Sequence, residues 1–282
     1  MILIADSGST KASWVLASKT EIVLEFTSSG FNPYTQPKEL IYRIISEEIF
    51  PKLNDISIES IYFYGAGCSS DSNKKLMSET FKSFFVKSNI EIEHDVMAAA
   101  RALWLDGDGI IAILGTGSNS SLYKKGEIIY SIPALGYILG DEGSGAYLGK
   151  AILRDYLYNR MPEEISKDFH DKYALDAATI LANVYQKENP NRWLASFAVF
   201  ISENINEDYY RNIVLKSFRD FFESHLIQYP DYQNIPLGVI GSIGYYFREQ
   251  LEIVSKEYGF SLKKVIKSPI DELVKYHMQR GE

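Results

Sequence analysis

The sequence predicts an α/β protein built from two similar lobes, and three observations support this prediction. Short apolar runs alternate with helical patterns along the chain, as in α/β architecture. A pattern of three strands, separated by a tight loop and a turn, occurs at the N-terminus and again in the middle of the chain. The length of 282 residues exceeds what one small core needs and suits two lobes.

The first copy of the three-strand pattern begins at Ile2. Ile2 to Ala5 is an apolar run that stops at Asp6, and Ser-Gly-Ser-Thr at 7–10 is a turn signal. Ala12 to Leu16 and Glu21 to Phe26 are predicted to be the second and third strands.

The second copy begins with the apolar strand Gly109 to Leu114, followed by the loop Gly-Thr-Gly-Ser-Asn at 115–119. Strands are predicted over Ser120 to Tyr123 and Glu127 to Tyr130. A shift of 109 residues places the Gly-Ser of the first loop on Gly117-Ser118. Two copies of one supersecondary unit favour a duplicated domain, and chance similarity of two hairpins is the alternative.

Helices and strands alternate through the rest of the chain. Before the second copy we predict a helix (37–50), a strand (58–64), a helix (73–87), a strand (90–93) and a helix that opens at Asp95. After it, helical spacing is seen at 144–158, 174–186, 193–204 and 209–229, followed by a strand (237–240), a helix (245–259), a strand (263–266) and a closing helix from Pro269. We therefore expect lobes of residues 1–106 and 107–267, with the helix at 268–282 packing back on the first lobe.

Composition limits the partners and the compartment. The formal net charge is −8, so a basic groove for nucleic acid is not expected. Cys68 is the single cysteine, so the chain can form neither an internal disulfide nor, by itself, a zinc or iron–sulfur site. The first residues lack a basic region and include Asp6, so no signal peptide is expected, and no apolar stretch reads as a membrane span. We expect a cytoplasmic protein.

Residues 6–11 carry groups that suit phosphate. A carboxylate at a strand end is followed by Ser-Gly-Ser-Thr-Lys, which places backbone N–H groups, hydroxyls and an ammonium in one turn. Gly8 lets the backbone approach a ligand closely. Asp6 can hold Mg²⁺, directly or through water, and the ion neutralises phosphates. A hairpin turn with an exposed Asp is the other interpretation.

The second loop adds weight to the phosphate interpretation. Gly115 and Gly117 again permit close backbone approach, and two such loops from two lobes would clamp the phosphates of a nucleotide. The loop is not of the Walker type, because no Gly-Lys-Ser/Thr follows at the required spacing.

Several motifs of the chain now stand in a recognisable order: the two loops, Asp95 at a helix start, the run Gly-Asp-Glu-Gly-Ser-Gly at 140–145, and the pair Gly241 and Gly244 after a strand. Together they resemble the N-acetylglucosamine kinase group of the BadF/BadG/BcrA/BcrD ATPase family. That family lies in the superfamily of sugar kinases, actin and heat-shock chaperone ATPases. The resemblance spans Ile2 to about Leu273. It implies two ribonuclease-H-like, actin-like lobes with a nucleotide cleft between them. It also implies ATP and Mg²⁺ as cofactors and phosphoryl transfer to a hydroxyl of an amino sugar, N-acetylglucosamine or a glucosamine-like sugar.

The resemblance further implies roles for particular residues. Asp95 would be the general base of a kinase and Asp6 the metal ligand. The ATP phosphates would be bound by Ser7, Gly8, Ser9, Thr10, Lys11, Gly115, Thr116, Gly117 and Ser118, the adenosine by Gly241, Ser242 and Gly244, and the sugar by Asn32, Thr116, Leu135, Gly136 and Asp141. Vertebrate-type sugar kinases carry a Trp that packs on the sugar near the position of Leu135, and this departure leaves the identity of the sugar open.

Most of these residues also have a structural interpretation. Asp95 could be the N-cap of its helix, worth about 1 kcal/mol. Asn32 could form an Asn-Pro turn, and Asp141-Glu142 could be an acidic pair favoured by a helix dipole. Gly241 and Gly244 could serve a simple strand-to-helix turn.

Two other functions are compatible with the fold. ATPase activators of reductases or dehydratases, in the same family, hold an iron–sulfur cluster with two cysteines from each chain, and the single Cys68 disfavours that function. A non-catalytic nucleotide- or sugar-binding protein would need neither Asp6 nor Asp95. Whether the 20 Tyr and 15 Phe serve the cores or the interface of a homodimer is left open.

Overall fold

The structure is a computed structural model that describes residues 1–53 and 56–280. The chain forms two compact units: Met1–Gly107 together with the C-terminal segment from Ser268, and Asp108–Lys267. Among the residues that the structure describes, none of the helices has both the length and the apolar character required to cross a bilayer.

Within the described residues, ten strands form two five-stranded sheets, one in each unit. The strands are β1 (Ile2–Ser7), β2 (Lys11–Ala17), β3 (Ile22–Ser29), β4 (Ser60–Gly65), β5 (Asn89–His94), β6 (Gly109–Leu114), β7 (Ser118–Lys124), β8 (Glu127–Ile132), β9 (Leu237–Ile240) and β10 (Leu262–Ile266). The first sheet has the order β3-β2-β1-β4-β5 and the second β10-β9-β6-β7-β8. In each, three antiparallel strands are extended by two parallel ones, so the two sheets have the same topology.

The helices follow the strands in the order expected of an α/β protein. They are α1 (Lys38–Ile44), α2 (Asp71–Lys82), α3 (Asp95–Trp104), α4 (Gly136–Leu139), α5 (Gly145–Leu157), α6 (Glu163–Tyr173), α7 (Ala177–Tyr185), α8 (Pro190–Ser196), α9 (Ala198–Glu203), α10 (Asp208–Ser224), α11 (Ser242–Tyr246), α12 (Arg248–Glu257) and α13 (Ile270–Arg280). A π-helical turn and a 3₁₀ turn continue α1 from Ile45 to Lys52.

The common topology confirms the α/β fold of two repeated lobes, but the shift that relates the repeats differs from the predicted one. The bounds of β1 and β6 correspond at a shift of 107 residues, whereas the sequence suggested 109. Side chains alternate between the faces of a strand with a period of two, so a slip of two residues keeps every side chain on its face. The hydrophobic pattern therefore could not separate the two shifts.

The first sheet is covered by helices on both faces. Leu3 and Ala5 of β1 pack with Trp14 in a core that includes residues of α1 and α2. Ile2 and Ile4 point to the opposite face, where the core contains residues of α3 and α13. Strand β1 is thus buried on both sides, which explains its continuous apolar run.

Several predicted helices have different bounds in the structure. The helix predicted at 73–87 is α2 and ends at Lys82, because the chain then turns to bury Phe85 before β5. The helix at 193–204 is broken into α8 and α9 at the buried Phe197, and the one at 209–229 ends as α10 at Ser224. The helix predicted from Tyr245 begins at Ser242 and is split into α11 and α12.

Helix α6 was not predicted at all. It buries Ile165 and Phe169, which are four residues apart on one face. That spacing is a helical signal, but two apolar residues in an otherwise charged segment are too few for the pattern to reveal the helix.

Helix α13 packs on β4 and α3 through a buried aromatic and polar cluster. The His277 ring is 1% exposed and stacks on Tyr62 at a centroid distance of 3.7 Å. Its Nε2 lies 2.8 Å from Tyr64 Oη, which also accepts a 2.6 Å hydrogen bond from Arg101 Nη1. Burial, together with the positive charges of Arg101 and Arg280, lowers the pKa of His277 to about 3.

We predict that the free energy of unfolding depends less on pH in His277→Phe than in the unsubstituted protein. His277 stays neutral in the folded state, whereas in the unfolded chain it binds a proton below about pH 6.5. The unfolded state therefore gains protons as the pH falls, and acid destabilises the fold. Urea unfolding between about pH 7 and pH 5 should show slopes that differ by up to about 1.4 kcal/mol per pH unit. Parallel slopes would contradict the assignment.

Candidate functional site

The carboxyl ends of three parallel strands lie at one edge of the first sheet. Ser7 of β1 is in register with Gly65 of β4, and Gly65 with His94 of β5. The loops that leave these strands therefore start side by side, as at the ligand-binding edge of other open α/β sheets. The first predicted phosphate loop and Asp95 both belong to this edge.

The first loop is short and is supported from behind. Gly8, Ser9 and Thr10 connect β1 to β2 and are exposed, as is Lys11. A Cβ on Gly30 would lie 2.1 Å from the Gly8 carbonyl oxygen, so only glycine allows the end of β3 to pack against the loop.

Ser7 differs from the other members of the predicted phosphate loop. Its side chain is 1% exposed, and its Oγ accepts a 3.0 Å hydrogen bond from the Phe31 backbone N–H. The Ser7 hydroxyl is thus committed to holding the chain after Gly30 against the loop, which leaves exposed hydroxyls on Ser9 and Thr10.

Asn32 lies beside the first loop. Its Nδ2 donates a 2.9 Å hydrogen bond to Ser9 Oγ, and its Oδ1 accepts one of 3.1 Å from the Tyr34 N–H. A Cβ on Gly67 would lie 2.4 Å from Asn32 Oδ1. Asn32 therefore forms the turn that its sequence favours and is also held between two loops of the carboxyl edge.

Asp95 is the first residue of α3, and the prediction that it is the N-cap was wrong. The N-cap position is His94, whose side chain makes no capping hydrogen bond. Asp95 Oδ1 instead accepts from the adjacent Val96 N–H at 3.0 Å. Parallel strand β5 delivers the chain to the sheet edge one residue before the helix starts, so the carboxylate is in the first turn rather than before it.

The pKa values of the Asp6 and Asp95 carboxyls are both raised. Burial and then the negative charge of Asp95 raise the pKa of Asp6 to about 7. Desolvation also raises the pKa of Asp95, against the opposing effects of His94 and the Val96 N–H. The charged forms of both carboxyls are disfavoured at this edge, so a cation bound nearby would stabilise them.

These residues fit a magnesium ion that is shared with phosphates. Mg²⁺ in phosphoryl-transfer sites is held by one or two carboxylates together with phosphate oxygens and water. Asp6 provides such a carboxylate next to the hydroxyls of the first loop. Within residues 1–53 and 56–280, no three His, Cys, Asp or Glu side chains gather around one point, so a site enclosed by protein ligands alone is not what the chain offers.

In the second unit, the loop after β6 contains three residues rather than the five predicted, because Ser118 and Asn119 already belong to β7. The start of α5 holds this loop: Gly145 N–H donates to the Gly115 carbonyl at 2.8 Å and Ala146 N–H to that of Thr116 at 3.0 Å. A Cβ on Gly115 would meet no atom within 4 Å, so this side of the loop is open.

Asp141 is buried beneath the same loop. It is 7% exposed, and its Oδ1 accepts a 3.3 Å hydrogen bond from the Ser118 N–H. Burial raises its pKa. Its φ of 60° places it in a left-handed turn, and α5 begins later, with Ser144 as N-cap. The alternative that Asp141 and Glu142 are an acidic pair in the first turn of a helix is therefore wrong.

Gly241 packs against the second loop. Its φ is 120°, and a Cβ there would lie 2.3 Å from the Leu114 carbonyl oxygen. A Cβ on Gly244 would lie 2.6 Å from Val239 Cγ1. Both glycines are thus required by packing, and the exposed Ser242 starts α11 beside them. The segment predicted for adenosine and the second loop are in direct contact.

Leu135 and Gly136 precede Asp141 on an exposed segment. Leu135 is 59% exposed, and Gly136, with φ 71°, begins α4. Lys150 of α5 fixes the segment by donating to the Tyr137 carbonyl and, at 3.5 Å, to that of Gly140.

A buried polar network behind Asp141 was missed by the sequence analysis. The Ile132 N–H donates to Tyr229 Oη at 3.4 Å, and Tyr229 Oη lies 2.8 Å from Ser120 Oγ. Ser120 Oγ lies 3.2 Å from His225 Nδ1, and His225 Nε2 lies 3.9 Å from Glu142 Oε2. Burial lowers the pKa of His225 and favours its neutral form. One pattern of donation that satisfies these contacts runs from the Ile132 N–H through Tyr229 and Ser120 to His225 Nδ1, with Nε2–H facing Glu142. Only the run at 140–145 hinted at this network.

Cys68 is buried at the end of the β4 loop. Burial is the main cause that raises the pKa of its thiol, to about 12. This agrees with the interpretation of Cys68 as a small buried thiol rather than a cluster ligand.

The repeated sheet topology, with a short polar loop after the first strand of each sheet, defines an α/β sugar kinase fold of the two-lobed, actin-like type. No family model matches the sequence. Over 275 residues, which are 90% of each chain, it is 26% identical to an N-acetylmuramic acid/N-acetylglucosamine kinase of Clostridium acetobutylicum.

Two solved structures are similar over nearly the whole chain. A candidate N-acetylglucosamine kinase from Porphyromonas gingivalis has 39% sequence identity and a TM-score of 0.95, covering 100% of both chains. Another from Chromobacterium violaceum has a TM-score of 0.75 over 98% of both chains at 16% identity, and shows the fold alone. The chain belongs to the N-acetylglucosamine kinase-like family of sugar kinases.

We predict that Tyr229→Phe destabilises the protein by about 1–3 kcal/mol, because buried partners of the hydroxyl lose their hydrogen bonds. The matched control is Tyr130→Phe: Tyr130 is 50% exposed and its ring contacts that of Tyr229 edge-on. The control should change stability by less than about 0.5 kcal/mol. Equal effects of the two substitutions in urea unfolding would show that the network has no energetic role.

Proposed function

We propose that this sugar kinase transfers the γ-phosphoryl group of ATP to a hydroxyl of an amino sugar, N-acetylglucosamine or a glucosamine-like sugar. The observation that carries the proposal is the pair Asp6 and Asp95 at the carboxyl edge of the first sheet, with the hydroxyl-rich loop between β1 and β2 beside it. The amino sugar follows from the family, since both its sequence relative and the Porphyromonas structure are named for N-acetylglucosamine. We place the chain in the BadF/BadG/BcrA/BcrD group on its motifs.

Asp95 is proposed as the general base. The acceptor hydroxyl must lose its proton as it attacks phosphorus, and a carboxylate within hydrogen-bond reach can take it. Asp95 is solvent-exposed, and its position in the first turn of α3 leaves Oδ2 without a protein partner in the hydrogen bonds of the described residues. Its raised pKa makes it a better proton acceptor than an unperturbed aspartate, provided that a bound cation keeps it ionised.

Asp6 is proposed to hold Mg²⁺, which when bound neutralises the phosphates of ATP. The exposed Ser9, Thr10 and Lys11 of the first loop would contact phosphate oxygens. In the second unit, Gly115, Thr116, Gly117 and Ser118 would do the same, with Gly241, Ser242 and Gly244 around the adenosine. The close approach of Gly241 to Leu114 supports this, because the two segments that we propose for the nucleotide then lie side by side.

The sugar is proposed to contact Asn32 in the first unit and Thr116, Leu135, Gly136 and Asp141 in the second. Leu135 offers an exposed apolar surface where a ring could pack, which a Trp would extend. Asp141, buried and held by the Ser118 N–H, is rigid enough to orient a hydroxyl.

Sugar-dependent release of ADP tests the proposal. In a coupled assay with Mg²⁺-ATP, N-acetylglucosamine or glucosamine should stimulate ADP release above the rate with ATP alone, and glucose should do so less. A sugar panel that gives no stimulation, from a protein that still binds ATP, would instead support a non-catalytic binding protein.

We predict that Asp95→Asn lowers kcat by about a hundredfold or more, because the acceptor loses its base, and leaves the Kd for ATP nearly unchanged. Asp71→Asn is the matched control, since Asp71 is likewise the first residue of a helix, α2, and is exposed. The control should retain kcat. Normal turnover of Asp95→Asn would refute the role of Asp95 as base while leaving the kinase activity itself intact.

A further inference from the structure

The second unit contains a pocket that none of the proposed site residues lines. Its volume is about 380 Å³, within the range of small-molecule sites. Helices α5, α7 and α8 form its apolar walls, which include Leu153, Leu157, Ile180, Val184 and Leu194. Its polar groups come from Lys150, Arg154 and three tyrosines, and the side chains that most often bind sugar hydroxyls, Asp, Glu, Asn and Gln, are not among the lining residues.

The charged side chains that line the pocket are cationic. Lys150 and Arg154, one turn apart on α5, are in its lining, which includes no Asp or Glu. The ammonium of Lys150 is occupied by the carbonyls of Tyr137 and Gly140. The guanidinium of Arg154 is exposed and, among the described residues, makes no hydrogen bond or ion pair. An exposed cation therefore belongs to the lining of an apolar recess, in a protein whose net charge is −8.

Exposed apolar side chains surround the entrance. Ile138 is 72% exposed, Leu181 51% and Tyr185 80%. Apolar side chains that are grouped around a recess, rather than scattered, mark a binding surface. They would be covered in part by a ligand that protrudes from the pocket.

We propose that this pocket binds an amphipathic organic anion, whose acidic group pairs with Arg154 and whose apolar body lies between α5 and α7. The apolar walls exclude a simple inorganic anion as the preferred ligand, and the free guanidinium distinguishes the pocket from one for a neutral hydrocarbon. An aliphatic and an aromatic acid share the required chemistry.

Direct binding tests the proposal without any need for turnover, so its failure and the failure of the kinase activity are distinguishable. The fluorescent probe is 8-anilinonaphthalene-1-sulfonate, titrated into the full chain. Saturable binding of one probe per chain is expected. Displacement by decanoate would identify the aliphatic acid as the better ligand, and displacement by naphthoate the aromatic one. Decan-1-ol should compete at least about tenfold more weakly, since it lacks the charge.

Two substitutions locate the probe. Arg154→Gln should weaken its binding by about tenfold or more through loss of a charge-assisted hydrogen bond. Leu181→Glu, at a position that is 51% exposed, should weaken it by charge repulsion at the entrance. Arg248→Gln is the control, because Arg248 of α12 is paired with Glu252 and does not line the pocket.

Three outcomes would overturn the proposal. The first is unchanged affinity in Arg154→Gln. The second is displacement of the probe by N-acetylglucosamine, which would place the probe in the sugar site. The third is a protein that is dimeric in sedimentation velocity and binds the probe only after Leu181→Glu has dissociated the dimer. That result would show that the pocket is an interface between two copies of the chain.

Discussion

The functional edge of each unit depends on one steric constraint, the close approach of a glycine to the loop that follows the first strand. In the first unit Gly30 leaves no room for a Cβ against the Gly8 carbonyl, and in the second Gly241 leaves none against that of Leu114. The two glycines come from different places, the end of β3 and the end of β9. Each supports a short loop from behind, so the loop's other side can face a ligand without backbone rearrangement.

The two carboxyl groups at one edge of the first sheet are brought there by the direction of its strands. Parallel pairing of β1, β4 and β5 puts their carboxyl ends together, and this brings Asp6 and Asp95 to one edge although 88 residues separate them. Desolvation raises the pKa of both carboxyls, and the negative charge of Asp95 raises that of Asp6 further. Such an arrangement costs stability in a protein without ligands and is relieved by a cation, which agrees with the metal-binding role proposed for Asp6.

In the second unit, hydrogen bonds position the proposed site residues, whereas in the first unit the ends of parallel strands position them. The N-terminus of α5 holds the loop after β6, the Ser118 N–H holds Asp141, and Lys150 holds the segment at Leu135–Gly136. The network of Ser120, Tyr229 and His225 lies behind this arrangement and contacts Glu142. The residues proposed for the sugar in this unit are thus held in place by backbone N–H groups and by the Lys150 ammonium.

The sequence by itself determined the α/β class and the two repeated sheets, because alternation of apolar residues and short glycine loops are local signals. The sugar kinase family followed from the resemblance of its loop motifs to those of known kinases. Strands β6 and β9 were predicted with the bounds that they have. Only the tertiary structure decided the shift of 107 rather than 109 between the repeats, since a period of two is blind to a slip of two residues. It alone decided that Asp95 lies inside α3 and that Asp141 adopts a left-handed turn. Only the tertiary structure showed that Glu142 lies next to His225, because contacts between residues far apart in the chain leave no periodic trace in the sequence.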